Sequence, residues 1–168
     1  EVKNLKKVFE HKNGKIKIFH DVNLGIKPGE LVALVGPSGS GKSSFLHLLS
    51  LLDKPTAGKI YFLGKDSKNF SENRKDEIRR RNISLIFQDN NLLSDFTTIE
   101  NVLMPLIIRG ESYKSSHNKA KNILRRVNLL ERRNHFPSEL SGGEQQRVAI
   151  ARSIIAETDL ILADEPTG

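Results

Sequence analysis

The sequence predicts an α/β protein with a three-layer core, an antiparallel β portion at the N-terminal end and a helical subdomain at about residues 90–140. Three observations carry this. The apolar run Leu31 to Val35 leads into a glycine-rich turn and then a helical pattern, which gives strand, loop and helix in succession. A second apolar run, Leu160 to Ala163, reads as a buried parallel strand that ends in two carboxylates. Between about 90 and 140 the apolar residues recur at helical spacing.

The elements follow in order. Residues 2–9 and 16–24 alternate loosely between apolar and polar around Asn13-Gly14, the pattern of two antiparallel strands joined by a turn. Lys27-Pro28-Gly29-Glu30 then punctuates the chain ahead of the Leu31 to Val35 strand. After Gly41 a helix is expected to carry Phe45, Leu48, Leu49 and Leu52 on its apolar face. A short strand at Lys59 to Leu63, a charged helix around Glu72 to Arg81 and an apolar strand at Ile83 to Phe87 come next. Thr97 and Glu100 have the spacing of a capping box, and Ile99, Val102, Leu103, Leu106 and Ile107 form one helical stripe. Pro105, which lacks a backbone donor, is expected to bend or end that helix. Ala120, Ile123, Leu124 and Val127 make a second stripe, and Ser141-Gly142-Gly143 opens a further helix before the last strand.

Composition narrows the classes. With 168 residues of which 37% are hydrophobic, the chain has material for a single compact core, and one domain is expected. No apolar run approaches the roughly 20 residues that span a bilayer. Phe45 to Leu52, among the longest, is broken by His47 and Ser50. There is no cysteine, so neither disulfides nor a thiolate metal site can form. A net charge of +7 suits nucleic acid, an anionic membrane surface or a polyphosphate ligand. The basic residues are scattered through Lys3 to Lys17, Arg74 to Arg81 and Arg125 to Arg133 with few aromatics between them, which is no platform for stacking bases, and no nucleic-acid partner is expected. The chain opens on Glu1 and stops just after an acidic motif, so a domain incomplete at its C-terminal end is expected.

Three motifs carry chemistry. Gly36-Pro37-Ser38-Gly39-Ser40-Gly41-Lys42-Ser43, followed by Ser44, matches GxxxxGK[ST] between an apolar strand and a helix. Its glycines let successive backbone N–H groups face phosphate oxygens, and the helix start adds positive potential. Lys42 supplies a compact cation, and Ser43 a hard oxygen for Mg²⁺. Asp164 and Glu165 sit where the Leu160 strand ends, at the carboxyl edge where open α/β sheets bind ligands. Asp164 is expected to hold Mg²⁺ and Glu165 to orient or deprotonate an attacking water. Leu140-Ser141-Gly142-Gly143-Glu144-Gln145-Gln146-Arg147 opens a helix with a hydroxyl and free N–H groups, a second anion-binding end in one chain.

In this order and spacing, the three segments GPSGSGKS, LSGGEQQR and LILADEPTG resemble the Walker A, signature and Walker B motifs of ABC transporter nucleotide-binding domains. The resemblance covers the whole chain and implies a P-loop NTPase fold of the ABC ATPase type, ATP and Mg²⁺ as ligands, and ATP hydrolysis coupled to transport. It also implies a homodimer in which Ser141, Gly142 and Gly143 of one subunit cap the nucleotide of the other, and a separate transmembrane permease. A peripheral place on the cytoplasmic face of a bacterial inner membrane follows. Position 144 is Glu where many members have Gln. Gln88 resembles the glutamine that touches Mg²⁺ and reports nucleotide state to the permease, and Phe9 the aromatic that stacks on adenine. Within the family, Leu46 to Leu49, Leu52 to Thr56 and above all Asn91 to Leu106 resemble the lipoprotein-releasing subgroup, whose texture the macrolide-exporter and cell-division relatives share. A soluble ATPase that handles nucleic acid is the rival from another class; the zinc modules, coiled coils or second cassette usual there do not occur. None of the five histidines follows the Asp164-Glu165 motif, so the family's switch histidine is not in this stretch.

Overall fold

The alternation at the start of the chain is realised as a hairpin. In the computed structural model, which describes residues 1–11 and 14–165, β1 (Val2–His11) and β2 (Gly14–Leu24) pair antiparallel from Val2 opposite Leu24 to His11 opposite Gly14. Asn13, expected in the turn, lies outside the described residues. The described chain falls into two compact units, Glu1–Asp76 and Glu77–Gly168.

In the first unit β3 (Ala57–Phe62) pairs antiparallel with β1 and with the short β4 (Lys65–Asp66), which gives the strand order β2-β1-β3-β4. Val2, Leu5 and Ile60 from the sheet and Phe45, Leu46 and Leu48 from α1 (Lys42–Leu49) are buried. Each such side chain contributes about 2 kcal/mol of transfer free energy. Phe19 of β2 meets Phe45 edge to face, with ring centroids 5.7 Å apart. The α1 helix ends before Leu52, contrary to expectation: Ser50 is its C-cap, Leu51 turns to φ 59 and Leu52 is exposed. The strand expected at Leu31 to Val35 is not formed either. Leu31 is 98% exposed and Val35 87%, and none of the described ladders includes these residues. An apolar run becomes a parallel strand only when neighbours supply its backbone bonds.

In the second unit the charged helix α2 (Glu72–Asn82), which begins in the first, ends directly at β5 (Ile83–Ile86). That strand pairs parallel with β6 (Leu160–Ala163) over all four positions, from Ile83 opposite Leu160 to Ile86 opposite Ala163. Both strands therefore end at the same edge. α3 (Thr98–Ile108), α4 (Tyr113–Arg126) and α5 (Gly142–Ile155) share one apolar core built from Ile99, Val102, Leu103 and Leu106, from Ala120 and Leu124, and from Val148, Ala151 and Ile155. Both expected stripes thus face inward, and α3 runs on through Pro105 to Ile108 rather than ending there. Its proline lies late in the helix, where a single backbone bond is lost. Arg109, just past α3, donates to the carbonyls of Arg80 (2.8 Å), Arg81 (3.2 Å) and Ala156, and so ties three helix ends together. Ser84 of β5 donates its hydroxyl to the Ser153 carbonyl, which fixes α5 against the strand.

Candidate nucleotide site

The glycine loop forms a turn that closes on its own lysine. Ser40 donates its amide to the Pro37 carbonyl at 3.2 Å, and Lys42 Nζ donates to the carbonyls of Gly36 (3.0 Å) and Pro37 (3.2 Å). Gly36, Pro37, Ser38, Gly39 and Ser40 are exposed, while Gly41, Lys42, Ser43 and Ser44 are partly buried at the start of α1. Gly41 is the N-cap at φ 94, and a Cβ there would lie 2.2 Å from Ile18 Cγ2. No other residue fits both the conformation and the space. Because Ile18 sits two positions along β2 from Ile16, the partner of Phe9, the hairpin and the loop meet at one end of this unit. Phe9 is 44% exposed, with Lys7 Nζ 4.7 Å from its ring centroid. Lys7 is in turn held by Asp53 at 2.6 Å and by the Lys54 carbonyl at 2.9 Å. A cation over the ring is attracted to its face, which helps to fix the ring's place.

In the second unit the parallel register brings Gln88 and the carboxylates of Asp164 and Glu165 to one edge. The Asp164 amide donates to the Ile86 carbonyl at 3.0 Å and extends the β5–β6 ladder by one bond. Asp164 is only 8% exposed, whereas Glu165 turns to φ 49 and points its carboxylate outward. Gln88 Nε2 donates to Glu165 Oε2 at 3.2 Å across 77 residues of sequence. A buried carboxylate beside an exposed one offers a hard oxygen for a cation and a base for a water.

Ser141 is the N-cap of α5, with Gly142 and Gly143 in its first turn. Glu144 closes a capping box: its carboxylate accepts from the Ser141 amide at 2.8 Å and from the Ser141 hydroxyl at 2.9 Å, and Arg132 Nε approaches it at 3.2 Å. These donors, the Ser141 amide first and its hydroxyl next, hold the Glu144 carboxyl below its ordinary range. This pairing was not read from the sequence, although Ser-x-x-Glu at the head of a helix is its signal. Reasoning from sequence missed Arg152, whose guanidinium donates to the carbonyls of Asn91 (2.8 Å) and Asn90 (2.7 Å) just after Gln88. No local pattern marks such a contact, which spans 61 and 62 residues.

Residues 19–168 match the family model described as ABC transporter. The chain belongs to the ABC transporter family. This ABC ATPase is 44% identical over 168 residues to the "Lipoprotein-releasing system ATP-binding protein LolD" of Syntrophus aciditrophicus, covering 100% of this chain and 75% of that protein. It is 47% identical over 167 residues to the protein of the same name from Rickettsia bellii, covering 99% of this chain and 73% of the relative. Among solved structures, the dimeric ATP-binding cassette MJ0796, in a post-hydrolysis state bound to ADP and Pi, superposes with a TM-score of 0.93 at 40% identity. That match covers 99% of this chain and 73% of the cassette. The fold is that of a P-loop ABC ATPase, and the chain binds nucleotide and hydrolyses ATP for transport.

Proposed function

We propose that this ABC ATPase powers the release of lipoproteins from the outer face of a bacterial inner membrane, paired with a second copy of itself and bound on the cytoplasmic side to a transmembrane permease. The names of its relatives and the identity of 44–47% over nearly the whole chain support the substrate class. The dimeric cassettes it resembles support the pairing. The chain is read as one nucleotide-binding domain, with its core at 1–89 and 141–168 and a helical subdomain at about 90–140.

The observation that carries the reading of the site is the Gln88–Glu165 hydrogen bond at the shared end of β5 and β6, beside the buried Asp164. In the proposed roles, the backbone of Gly36 to Ser44 surrounds the phosphates, Lys42 places a cation on the transferring group and Phe9 stacks on adenine. Mg²⁺ suits the oxygens that these roles assign to it, the Ser43 hydroxyl of the first unit and, in the second, the Asp164 carboxylate and the Gln88 amide, each a hard ligand. When bound, the ion would neutralise charge on the phosphate oxygens. Glu165, held in place by Gln88, then accepts the proton of the water that attacks in line. Ser141, Gly142 and Gly143 turn the head of α5 to the nucleotide of the other copy, where the Ser141 hydroxyl would exchange its bond to Glu144 for one to the phosphate.

The test is steady-state phosphate release by the full-length protein at saturating Mg-ATP, in membranes that contain the permease and a lipoprotein. Lys42→Ala is expected to abolish both phosphate release and lipoprotein release, a loss of at least about 100-fold in turnover for a positioned charge on the transferring group. Turnover near that of the parent would contradict the role of Lys42. ATP consumption by the parent with no lipoprotein released would contradict the substrate class.

A further inference from the structure

We propose that Arg152 is a positioning residue for hydrolysis: it ties the loop after Gln88 to α5 and thereby sets Gln88 against Glu165. The inference rests on the roles proposed above for those two residues.

Arg152 lies in the last turn of α5, one residue before Ser153, whose carbonyl is pinned to β5 by the Ser84 hydroxyl at 3.2 Å. The base of the side chain is therefore fixed to the strand that leads into Gln88. Its guanidinium reaches past the end of that strand, NH1 to the Asn91 carbonyl at 2.8 Å and NH2 to the Asn90 carbonyl at 2.7 Å. Asn90 (φ 58) and Asn91 (φ 44) are both in the left-handed region, which asparagine tolerates better than most residues and in which their carbonyls turn to the guanidinium. The planar fork of an arginine fixes two adjacent carbonyls at once, which a lysine ammonium cannot do as rigidly.

The arrangement has an energetic peculiarity. Burial pushes the Arg152 guanidinium below its usual range, and no carboxylate among the described residues offsets it. A partly buried charge compensated only by carbonyls is a poor source of stability, and an apolar side chain of similar length packs there at little cost. Arg152 also lines a cavity of about 300 Å³ with Phe87, Asn91, Pro105 and Ile108, so carbonyls released from it can take up water. What the guanidinium supplies is the path of residues 90–91, and through them the place of the Gln88 amide 3.2 Å from Glu165.

The experiment is a kinetic double-mutant cycle with Gln88→Ala and Arg152→Met in the full-length protein bound to its permease, with phosphate release followed against Mg-ATP concentration and melting temperature measured alongside. Arg152→Met keeps the alkyl stem and is expected to leave the melting temperature and KM unchanged while kcat falls about 10- to 100-fold, the range for groups that orient a functional ligand. Arg152→Lys falls between it and the parent. The double variant is expected to turn over no more slowly than Gln88→Ala, because the second change acts through a side chain already removed. Parental kcat in Arg152→Met, or losses that multiply in the double variant, overturns the positioning role alone. A fall in kcat that tracks a fall in melting temperature in both Arg152→Met and Arg152→Lys also overturns it, since packing then accounts for both. Parental turnover in Gln88→Ala overturns the reading of Gln88, and this inference with it.

Discussion

At Gly58 the first unit leaves no room for a side chain. The residue sits in β3 at φ 88, and a Cβ there would lie 2.3 Å from the Asn4 carbonyl oxygen and 2.7 Å from Leu5 Cα, all of it backbone of β1. Gly58→Ala is therefore expected to cost about 3 kcal/mol or more, because strain and the displaced β1–β3 ladder add. Denaturant unfolding of the full-length protein measures it, and a loss below about 1 kcal/mol would contradict the described approach of the strands. Residue-scale chemistry was the most legible part of the sequence. Lys42, Ser43, Asp164 and Glu165 announced themselves because a phosphate loop and a strand-end carboxylate each need particular residue types at fixed spacing. Gly58 did not, since a lone glycine in a strand gives no sign of which backbone will approach it.

Among the elements, α3 is the one whose start, stripe and surface can each be tested. Its cap is built from Glu100 Oε2, which accepts from the Thr97 hydroxyl at 2.6 Å and from the Thr97 amide at 2.8 Å. These two bonds, the hydroxyl's first, hold the Glu100 carboxyl below its ordinary value. A carboxyl lowered in the folded state adds stability above its unfolded pKa, about 4.3, and that stability is lost as pH falls through the lower folded value. Thr97→Ala should then cost about 1 kcal/mol at neutral pH. The difference from the parent should shrink in melts as pH falls below about 4.3 towards the lower folded value of Glu100; a gap unchanged down to pH 3 would show that the carboxylate is not the partner that matters. The other end of the helix carries the partly buried Met104 and Ile108, which is 59% exposed and lines a cavity with Phe87 and Pro105. Met104→Glu is expected to leave the ATPase activity of the isolated full-length subunit intact while preventing its co-purification with the permease. Equal loss of both would assign Met104 to the core, and unchanged co-purification would move the docking surface elsewhere. Helix stripes and the capping box were legible because their partners lie three or four residues away. The run Leu31 to Val35 was not, because whether an apolar run pairs is decided by strands far along the chain.

For the whole molecule, the two helix ends proposed to bind phosphate in one chain are the feature that the proposed pairing explains. Ser141, Gly142 and Gly143 head α5, and the glycine loop heads α1; each ends in exposed groups that suit an anion. In the proposed pair, arranged head to tail, each nucleotide meets one end of each kind; the solved cassettes at TM-score 0.93 are dimeric. The two ends were legible as motifs, whereas the pairing came only from the family resemblance, because an interface between copies leaves no periodic mark on either sequence. The most direct measurement is the mass of the full-length Glu165→Gln variant by sizing chromatography with light scattering, with and without Mg-ATP. Removing the base while leaving Lys42, Ser43 and Asp164 in place should preserve binding and stall turnover. Glu165→Gln is expected to be a monomer without nucleotide and a stable dimer with ATP, and to form no dimer once Ser141→Arg is added, although the monomer still binds ATP. A Glu165→Gln protein that binds ATP yet remains monomeric would contradict the proposed pairing.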